Sequence, residues 1–299
     1  MSRTVGQAVR DAARRLDAAA VAFGHGTTDA SQEALWIAAH VLGMTWDELT
    51  SSLDYPITAA REKRVVELAA RRISTRKPLA YLLNEAWLGP HKFHIDERVI
   101  VPRSFIAELL RENRGQTTVF PNTTKKRGLS PVFDSILDLC TGSGCLAILA
   151  ALAHPDARVD AADLSTDALE VAKRNVADYK LEDRVHLVHS DLFERLAGRT
   201  YDLIVSNPPY VKAASMETLP EEYRSEPRLA LASGTDGLDH TRAILARARR
   251  HLKPGGSLVV EIGHNRKALE RAYPDLPFEW PKTSGGRKFV FTLPREALP

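Results

Sequence analysis

Four consecutive residues, Asn207-Pro208-Pro209-Tyr210, combine the groups needed to hold a flat NH2 group. An amide or aromatic-amine nitrogen donates its lone pair into a neighbouring π system and is a poor nucleophile. Acceptors placed on both of its N–H groups fix the nitrogen and aim the lone pair. The side-chain carbonyl of Asn207 and the backbone carbonyl of Pro208 are acceptors of that kind. Proline stiffens the turn and brings no competing N–H, and Tyr210 offers a flat face to a planar group. Asn207, Pro208 and Tyr210 are the expected catalytic residues, and Pro209 completes the substrate-binding turn. Chemistry of this type needs no nucleophile and no metal. Its rate comes from orientation and desolvation.

A second constellation is Cys140-Thr141-Gly142-Ser143-Gly144, which follows the apolar run Ile136 to Leu139 and precedes the apolar run Cys145 to Ala153. Glycines in a strand-to-helix turn let a ligand approach the backbone, and the helix start offers free N–H groups. Asp163 lies about 20 residues on, at the end of the next expected strand, where a carboxylate accepts both hydroxyls of a ribose. These features point to an adenosine-type ligand and leave NAD and S-adenosylmethionine both open. Three details favour S-adenosylmethionine. Asp138, just before the loop, suits a cationic ligand better than a pyrophosphate. The loop carries no Arg or Lys for phosphates. Asp191-Leu192-Phe193 follows a third strand, with an acid for an adenine amino group and apolar side chains to cover the ring. The expected cofactor contacts are Asp138, Cys140, Thr141, Gly142, Ser143, Gly144, Asp163, Asp191, Leu192 and Asn207.

These residues must hang on a regular frame, and the chain supplies one. From residue 135 the pattern is strand, turn, helix, repeated: Ile136–Leu139, Val159–Ala162, Val185–Val188, Leu203–Val205 and Ser257–Ile262 alternate with helical stretches. Such alternation implies a parallel sheet with helices on both faces, and Phe289-Val290-Phe291 reads as a closing strand. Ahead of it, Val5, Val9, Ala12, Leu16, Ala19 and Phe23 recur at helical spacing. Asp29 with Gln32, and Thr45 with Glu48, read as capping boxes for two further helices. A fourth helix runs from about Thr58 to Ser74, ending before Pro78. The expected division is a helical substrate-docking domain over 1–76, a linker with a β-hairpin around Gly89-Pro90-His91-Lys92 over 77–112, a polar flexible loop over 113–130, and a catalytic domain over 131–299.

Composition narrows the classes. The 299 residues are 44% hydrophobic and 26% charged with a net charge of +3, which does not by itself announce a nucleic-acid binder. Two cysteines, Cys140 and Cys145, sit too close together to brace a fold, and no Cys/His cluster has metal spacing. No apolar run reaches about 18 residues, and the N-terminus has no signal-peptide core, so a cytoplasmic protein without a membrane segment is expected. The same four residues at 207–210 also accommodate an exocyclic base amine, but the N-terminal arginines are interleaved with Asp11, Asp17, Asp29, Glu33, Asp47 and Glu48, which leaves direct nucleic-acid binding without support. A sensor that binds S-adenosylmethionine without catalysis has no use for an amide-reading loop. An NAD oxidoreductase would show a Tyr-x-x-x-Lys or a catalytic His pairing, and neither is visible.

An N-terminal helical bundle, a hairpin and a methyltransferase sheet bearing Asn-Pro-Pro-Tyr resemble the HemK-type protein-(glutamine-N5) methyltransferases over nearly the whole chain. Phe23-Gly24-His25-Gly26-Thr27, Val101-Pro102-Arg103-Ser104, Leu137 to Cys145, Glu222-Tyr223-Arg224 and Ala232 to Gly237 look like the branch that modifies ribosomal protein L-three of the large subunit. The release-factor branch, the nearest rival, usually reads Gly-Thr-Gly-Thr-Gly where this chain has Cys140 to Gly144. The resemblance implies a class I S-adenosylmethionine-dependent methyltransferase fold, Rossmann-like, with a mostly parallel seven-stranded sheet. It also implies that residues 207–210 bind the glutamine, joined by Arg103, and that the substrate is ribosomal protein L-three, free or within a ribosome assembly intermediate.

Overall fold

Side-chain caps set where the N-terminal helices begin. In the computed structural model, which describes residues 3–112 and 133–299, Thr4 and Gln7 form a full capping box at the start of α1 (Val5–Ala18). Asp29 accepts from Gln32 N at the start of α2 (Ala30–Leu42), but the Gln32 side chain reaches back to Thr28 N, one residue before the box position. Thr45 and Glu48 box α3 (Trp46–Ser51), and Thr58 caps α4 (Ala59–Thr75). The first helix stops a turn earlier than its apolar spacing implies. Ala20 turns with φ 48°, and the Arg76 guanidinium takes the carbonyls of Ala19 and Ala20. Helices α1, α2 and α4 pack around Leu16, Ile37, Val65 and Ala69, all fully buried.

Pro78 ends this bundle and precedes the short α5 (Leu79–Leu83). Strands β1 (Glu85–Leu88) and β2 (His91–His94) pair antiparallel with Leu88 opposite His91, so the turn is Gly89-Pro90 alone. That is two residues shorter than the expected turn, and Gly89 at φ 62° permits it. Residues 95–105 then run irregularly into α6 (Ile106–Glu112). The stretch expected to be a polar flexible loop, 113–130, lies outside the described residues.

The catalytic part is built from β3 (Ser135–Leu139), α7 (Cys145–Ala153), β4 (Arg158–Asp163), α8 (Thr166–Asp178), β5 (Val185–His189), β6 (Tyr201–Ser206), α9 (Ala213–Met216), α10 (Asp239–Ala248), β7 (Leu252–Glu261), α11 (Arg266–Ala272) and β8 (Val290–Pro294). The sheet order is β5-β4-β3-β6-β7-β8, with only β8 antiparallel. Side chains alternate between two cores, as a two-residue period requires. Ile136, Leu203, Val205 and Val259 face α7. Leu137, Ile204, Leu258 and Val260 face α10 and α11. Burial on both faces explains why these strands read as unbroken apolar runs.

The sheet has six strands among the described residues, not the seven expected. The seventh is reduced to one bridge, in which Glu279 and Thr292 exchange backbone hydrogen bonds of 3.1 and 2.8 Å. Pro277 and Pro281 flank it two residues away on either side. Each lacks an N–H, so the ladder has no donor with which to continue.

Candidate active site

Strand order reverses between β3 and β6, and a crevice opens at the carboxyl ends of these two strands, where open α/β sheets bind ligands. The Ser206 hydroxyl ties the two ends together by donating to Leu139 O at 2.9 Å. The resulting cleft, about 740 Å³ and partly open to solvent, is floored by Cys140, Gly142, Asp163, Asp191, Leu192 and Asn207. Its far wall is Arg98–Ile100 and Pro227, Leu229 and Ala230.

The loop after β3 is set by hydrogen bonds to two carboxylates. Asp163 Oδ2 accepts from Gly142 N at 2.8 Å and its Oδ1 from Ser165 N at 2.9 Å. Burial raises the Asp163 pKa, and the backbone N–H groups of Ser165, Gly142 and Leu164 oppose the rise. Each carboxylate oxygen keeps a lone pair for a hydroxyl. Asp191 stands exposed at the cleft, beside Leu192. Leu192 is held at φ 46°, a strained value for leucine, by its carbonyl accepting from the Ser190 hydroxyl at 2.8 Å. Ser190 gave no signal in the sequence; a serine between a strand and an acid is indistinguishable from a turn residue.

Four residues expected at the ligand lie instead behind the loop. Asp138 is 0% exposed, and its Oδ2 accepts from Thr141 Oγ1 at 2.6 Å and Ala147 N at 3.0 Å. The carboxylate thus braces the turn and the start of α7. Burial pushes its pKa up to about 7, against those two hydrogen bonds. The Thr141 hydroxyl is spent on Asp138, and Ser143 turns its carbonyl to Asn175 Nδ2. Gly144, at φ 79°, sits against α8, where a Cβ would meet Ala172 Cβ at 3.1 Å. Pointing inward is the price of a tight turn: alternate groups must face the helix that follows it.

Asn207 stands where this cleft meets a second pocket, about 540 Å³, lined by Arg103, Pro208, Tyr210, Val211, Leu219 and Tyr223 among others. Its Oδ1 is buried and has no hydrogen-bond partner among the described residues. An orphaned buried acceptor is costly in a folded protein and signals a missing donor. Tyr210 is locked from behind. Asn265 Nδ2 donates to Tyr210 O at 2.8 Å, and a Cβ at Gly263 would lie 2.7 Å from the ring. A Cβ at Gly237 would lie 2.4 Å from Tyr210 O. Burial holds the phenol protonated well above the usual tyrosine range. Gly263 did not stand out in the sequence, and Gly237 did so only as the end of the motif Ala232 to Gly237, because what both avoid is contact with residues distant along the chain.

Arg103 enters the second pocket with its guanidinium paired to the buried Glu226 through two contacts, Nη1–Oε1 at 2.5 Å and Nη2–Oε2 at 2.7 Å. Glu226 also accepts from Val101 N at 3.0 Å, which fixes the Pro102-Arg103 turn. Ser104 Oγ and Phe105 N donate to Glu261 at the end of β7, at 2.7 and 2.9 Å, and burial lifts the Glu261 pKa to about 7. Sequence reasoning placed Arg103 near the substrate and missed Glu226, which has no motif of its own.

A family model described as the PrmC N-terminal domain matches residues 7–83, and one described as the Methyltransferase small domain matches residues 117–222. The ribosomal protein uL3 glutamine methyltransferase of Neisseria meningitidis is 52% identical over 99% of this chain and 94% of its own. That of Bordetella pertussis is 50% identical over 99% and 96%, and that of Bradyrhizobium diazoefficiens 45% identical over 95% and 88%. Identity at this level across almost the full length of both partners leaves one conclusion: the chain belongs to the ribosomal protein uL3 glutamine methyltransferase family.

Proposed function

We propose that the chain transfers a methyl group from S-adenosylmethionine to the side-chain amide nitrogen of a glutamine in ribosomal protein uL3, in the cytoplasm. The observation that carries this reading is the buried, partnerless Oδ1 of Asn207 at the junction of the two pockets. It is the acceptor that an incoming N–H requires.

The floor fits the cofactor. Asp163 has lone pairs for the ribose hydroxyls, Leu192 and Asp191 suit an adenine ring and its amino group, and Cys140, Gly142 and Asn207 line the rest. Asp138, Thr141, Ser143 and Gly144 serve by holding the loop in shape. Bound there, S-adenosylmethionine supplies an electrophilic methyl group on a sulfonium. Asn207 Oδ1 and the Pro208 carbonyl accept the two amide N–H groups and turn the nitrogen lone pair toward the cleft. Tyr210, protonated and clamped by Asn265, Gly237 and Gly263, gives the planar amide a flat wall. Because these groups are fixed before the substrate arrives, they cost no reorganisation at the moment of reaction.

Among the described residues lining the acceptor pocket Arg103 is the one cation, and Glu226 takes its charge. That suits a neutral peptide better than a phosphate backbone. No described helix is long and apolar enough to cross a membrane. The segment 1–76 is proposed to dock uL3, free or within an assembling ribosome. The test is labelled-methyl transfer into purified uL3, followed by peptide mapping. Label on a glutamine side chain supports the reading. Transfer to a release factor or to RNA, with uL3 unlabelled, sinks it.

A further inference from the structure

Two stretches far apart in sequence meet behind the acceptor pocket. Ala22 N donates to Glu222 Oε1 at 2.9 Å across 200 residues of chain. Beside that contact the His25 ring lies 4.3 Å from the Tyr223 ring, inclined at 52°. Gly24 leaves room for the same tyrosine, since a Cβ there would stand 2.8 Å from its phenol oxygen. Tyr223 in turn lines the acceptor pocket, and the Arg103 guanidinium lies 5.6 Å from its ring centroid.

His25 is 4% exposed, and neither ring nitrogen has a hydrogen-bond partner among the described residues. Burial lowers its pKa to about 4; Glu226 opposes that fall, while Arg103 and Arg72 add to it. The ring is thus held uncharged, with Nε2 3.8 Å from Glu226 Oε2 and its ring against that of Tyr223. The segment bearing Tyr223 is secured from both sides. Glu222 is bound by Arg72 and Arg76 of the N-terminal bundle, and Glu226 by Arg103 and Val101 N. The rest of the pocket wall is apolar: Ile100, Val211, Leu219 and Leu231. With its charge taken by Glu226, Arg103 keeps N–H groups free for a neutral carbonyl oxygen.

Resting on the methylation reading above, we infer that Tyr223 is a specificity-determining residue. Its ring packs against the peptide flanking the acceptor glutamine, in a position set by His25 and Gly24 of the N-terminal bundle. The ligand class is a neutral peptide segment with apolar side chains beside the glutamine and a backbone carbonyl for Arg103. The bundle then builds part of the acceptor site, as well as docking the substrate protein. His25 and Gly24 are positioning residues, acting through Tyr223.

The experiment is steady-state methylation of purified uL3 by the full chain, with cofactor affinity from calorimetry and thermal unfolding measured in parallel. Tyr223→Ala and His25→Ala are expected to raise KM for uL3 about tenfold, with kcat and cofactor Kd within about twofold of wild type, because binding to substrate rather than the chemical step is lost. Tyr223→Phe, which keeps the ring, should recover most of the loss. Gly24→Ala pushes the tyrosine aside and, at φ 117°, also strains its own backbone, so its rise in KM counts only where the melting temperature stays at the wild-type value; if His25→Ala fails to fold, Tyr223→Ala against Tyr223→Phe carries the test. Unchanged KM in folded Tyr223→Ala and Gly24→Ala overturns the inference. So does a parallel fall of kcat and cofactor affinity with melting temperature, which is what a purely structural contact produces. Asn207→Ala in the same assay separates the two readings. If it stays active, the methylation chemistry is misassigned; if it is dead while Tyr223→Ala has wild-type KM, only the present inference falls.

Discussion

Every group in the floor of the site hangs on the carboxyl end of a β-strand, whereas every group in its far wall, the roof, belongs to an irregular stretch or to one of two short 3-10 segments, Glu221–Ser225 and Arg228–Ala230. Cys140, Leu192 and Asn207 follow β3, β5 and β6, Asp163 ends β4, and the sheet core beneath them sets their spacing. Ile100, Arg103, Tyr223 and Leu229 come from segments with no ladder to hold them. Buried charges do that work: Glu222 with Arg72 and Arg76, Glu33 with Arg72, and Glu226 with Arg103. Burying ions costs desolvation, which the pairing roughly offsets, so such clusters stabilise little overall but penalise any other arrangement heavily. The strands under the floor are held by apolar packing that tolerates exchange of similar side chains, and its glycine loop by hydrogen bonds to Asp138 and Asp163. The roof is held by matched charges that do not.

The largest expected effect breaks the roof. Arg72 is 1% exposed and pairs with Glu33 and Glu222, both nearly fully buried, so Arg72→Ala leaves Glu33 without an ionic partner among the described residues and Glu222 with Arg76 alone. The expected loss is about 3–5 kcal/mol of stability, read by urea or thermal unfolding. A loss below about 1 kcal/mol would show that the roof does not depend on this cluster, since that is the scale of an exposed pair. Acidification should act on the same contacts. Burial works against the Glu222 charge, but Ala22 N, its own backbone N–H, Arg72 and Arg76 together hold its pKa below the ordinary glutamate value. Its contribution to stability is therefore present above that value and is lost as pH falls through the lower, folded one.

Next in size is the floor's own chemical group. Asn207→Ala removes the orphaned acceptor and nothing that packs the sheet. We expect kcat to fall by a factor of about 10²–10³, the cost of losing one preorganised polar partner, with S-adenosylmethionine binding and melting temperature little changed. Retention of more than about half of wild-type turnover would be incompatible with the role given to Oδ1, given the size of that expected loss.

A smaller effect separates the loop's brace from its ligand groups. The folded Asp138 carboxyl keeps its proton up to about pH 7, whereas the unfolded one loses it near 3.8. The folded state thus binds the extra proton between these values, and stability from this group falls as pH rises through that window. Asp138→Asn, which keeps an acceptor for Thr141 and Ala147, should remove that slope. Relative to wild type the variant should gain stability between pH 5 and pH 8, as measured by denaturant midpoints. A constant difference across that range would mean that Asp138 is ionised throughout and that burial does not hold its proton.

How much of this was legible in the sequence follows the same division. Asp163 and Asn207 were readable because a strand end fixes where the next residue points, and the strands were plain apolar runs. The Asp138 bonds to Thr141 and Ala147 were not readable, because alternation along a five-residue strand shows that a side chain is buried, not which partner it finds. Tyr223 stood in a recognisable motif, yet its position against His25 depends on two turns joined only by tertiary contacts. Glu226 and Gly263 carried no signal, and Gly237 showed only as the last residue of the motif Ala232 to Gly237, with nothing to say what it packs against. Their identities are dictated by atoms 27 or more residues away: Arg103 and Val101 for Glu226, Tyr210 for both glycines, and Asn265 for Gly237 as well. The missing seventh strand was legible in principle, from Pro277 and Pro281 bracketing Phe278-Glu279-Trp280.

The smallest effect asks whether the floor is as relaxed as its regularity suggests. Cys140 adopts φ 58°, in the left-handed region that favours glycine, at the position where the release-factor branch usually carries one. A non-glycine residue there costs roughly 1–2 kcal/mol, and glycine gives back about 0.5–1 kcal/mol through the greater freedom of its unfolded chain. Cys140→Gly should therefore stabilise the fold by about 0.5 kcal/mol, the difference between those two costs. Burial, with Asp163 and Asp138 nearby, drives the thiol pKa far above its usual range, so no thiolate chemistry is lost with the side chain. Cofactor affinity should change less than about twofold, because the loop shape is set by Asp138 and Asp163 rather than by the sulfur. Should the variant instead lose more than about 1 kcal/mol, the sulfur is a packing element beside β6, a contribution of the size expected for a small buried apolar group. The floor would then share with the roof a dependence on one particular side chain.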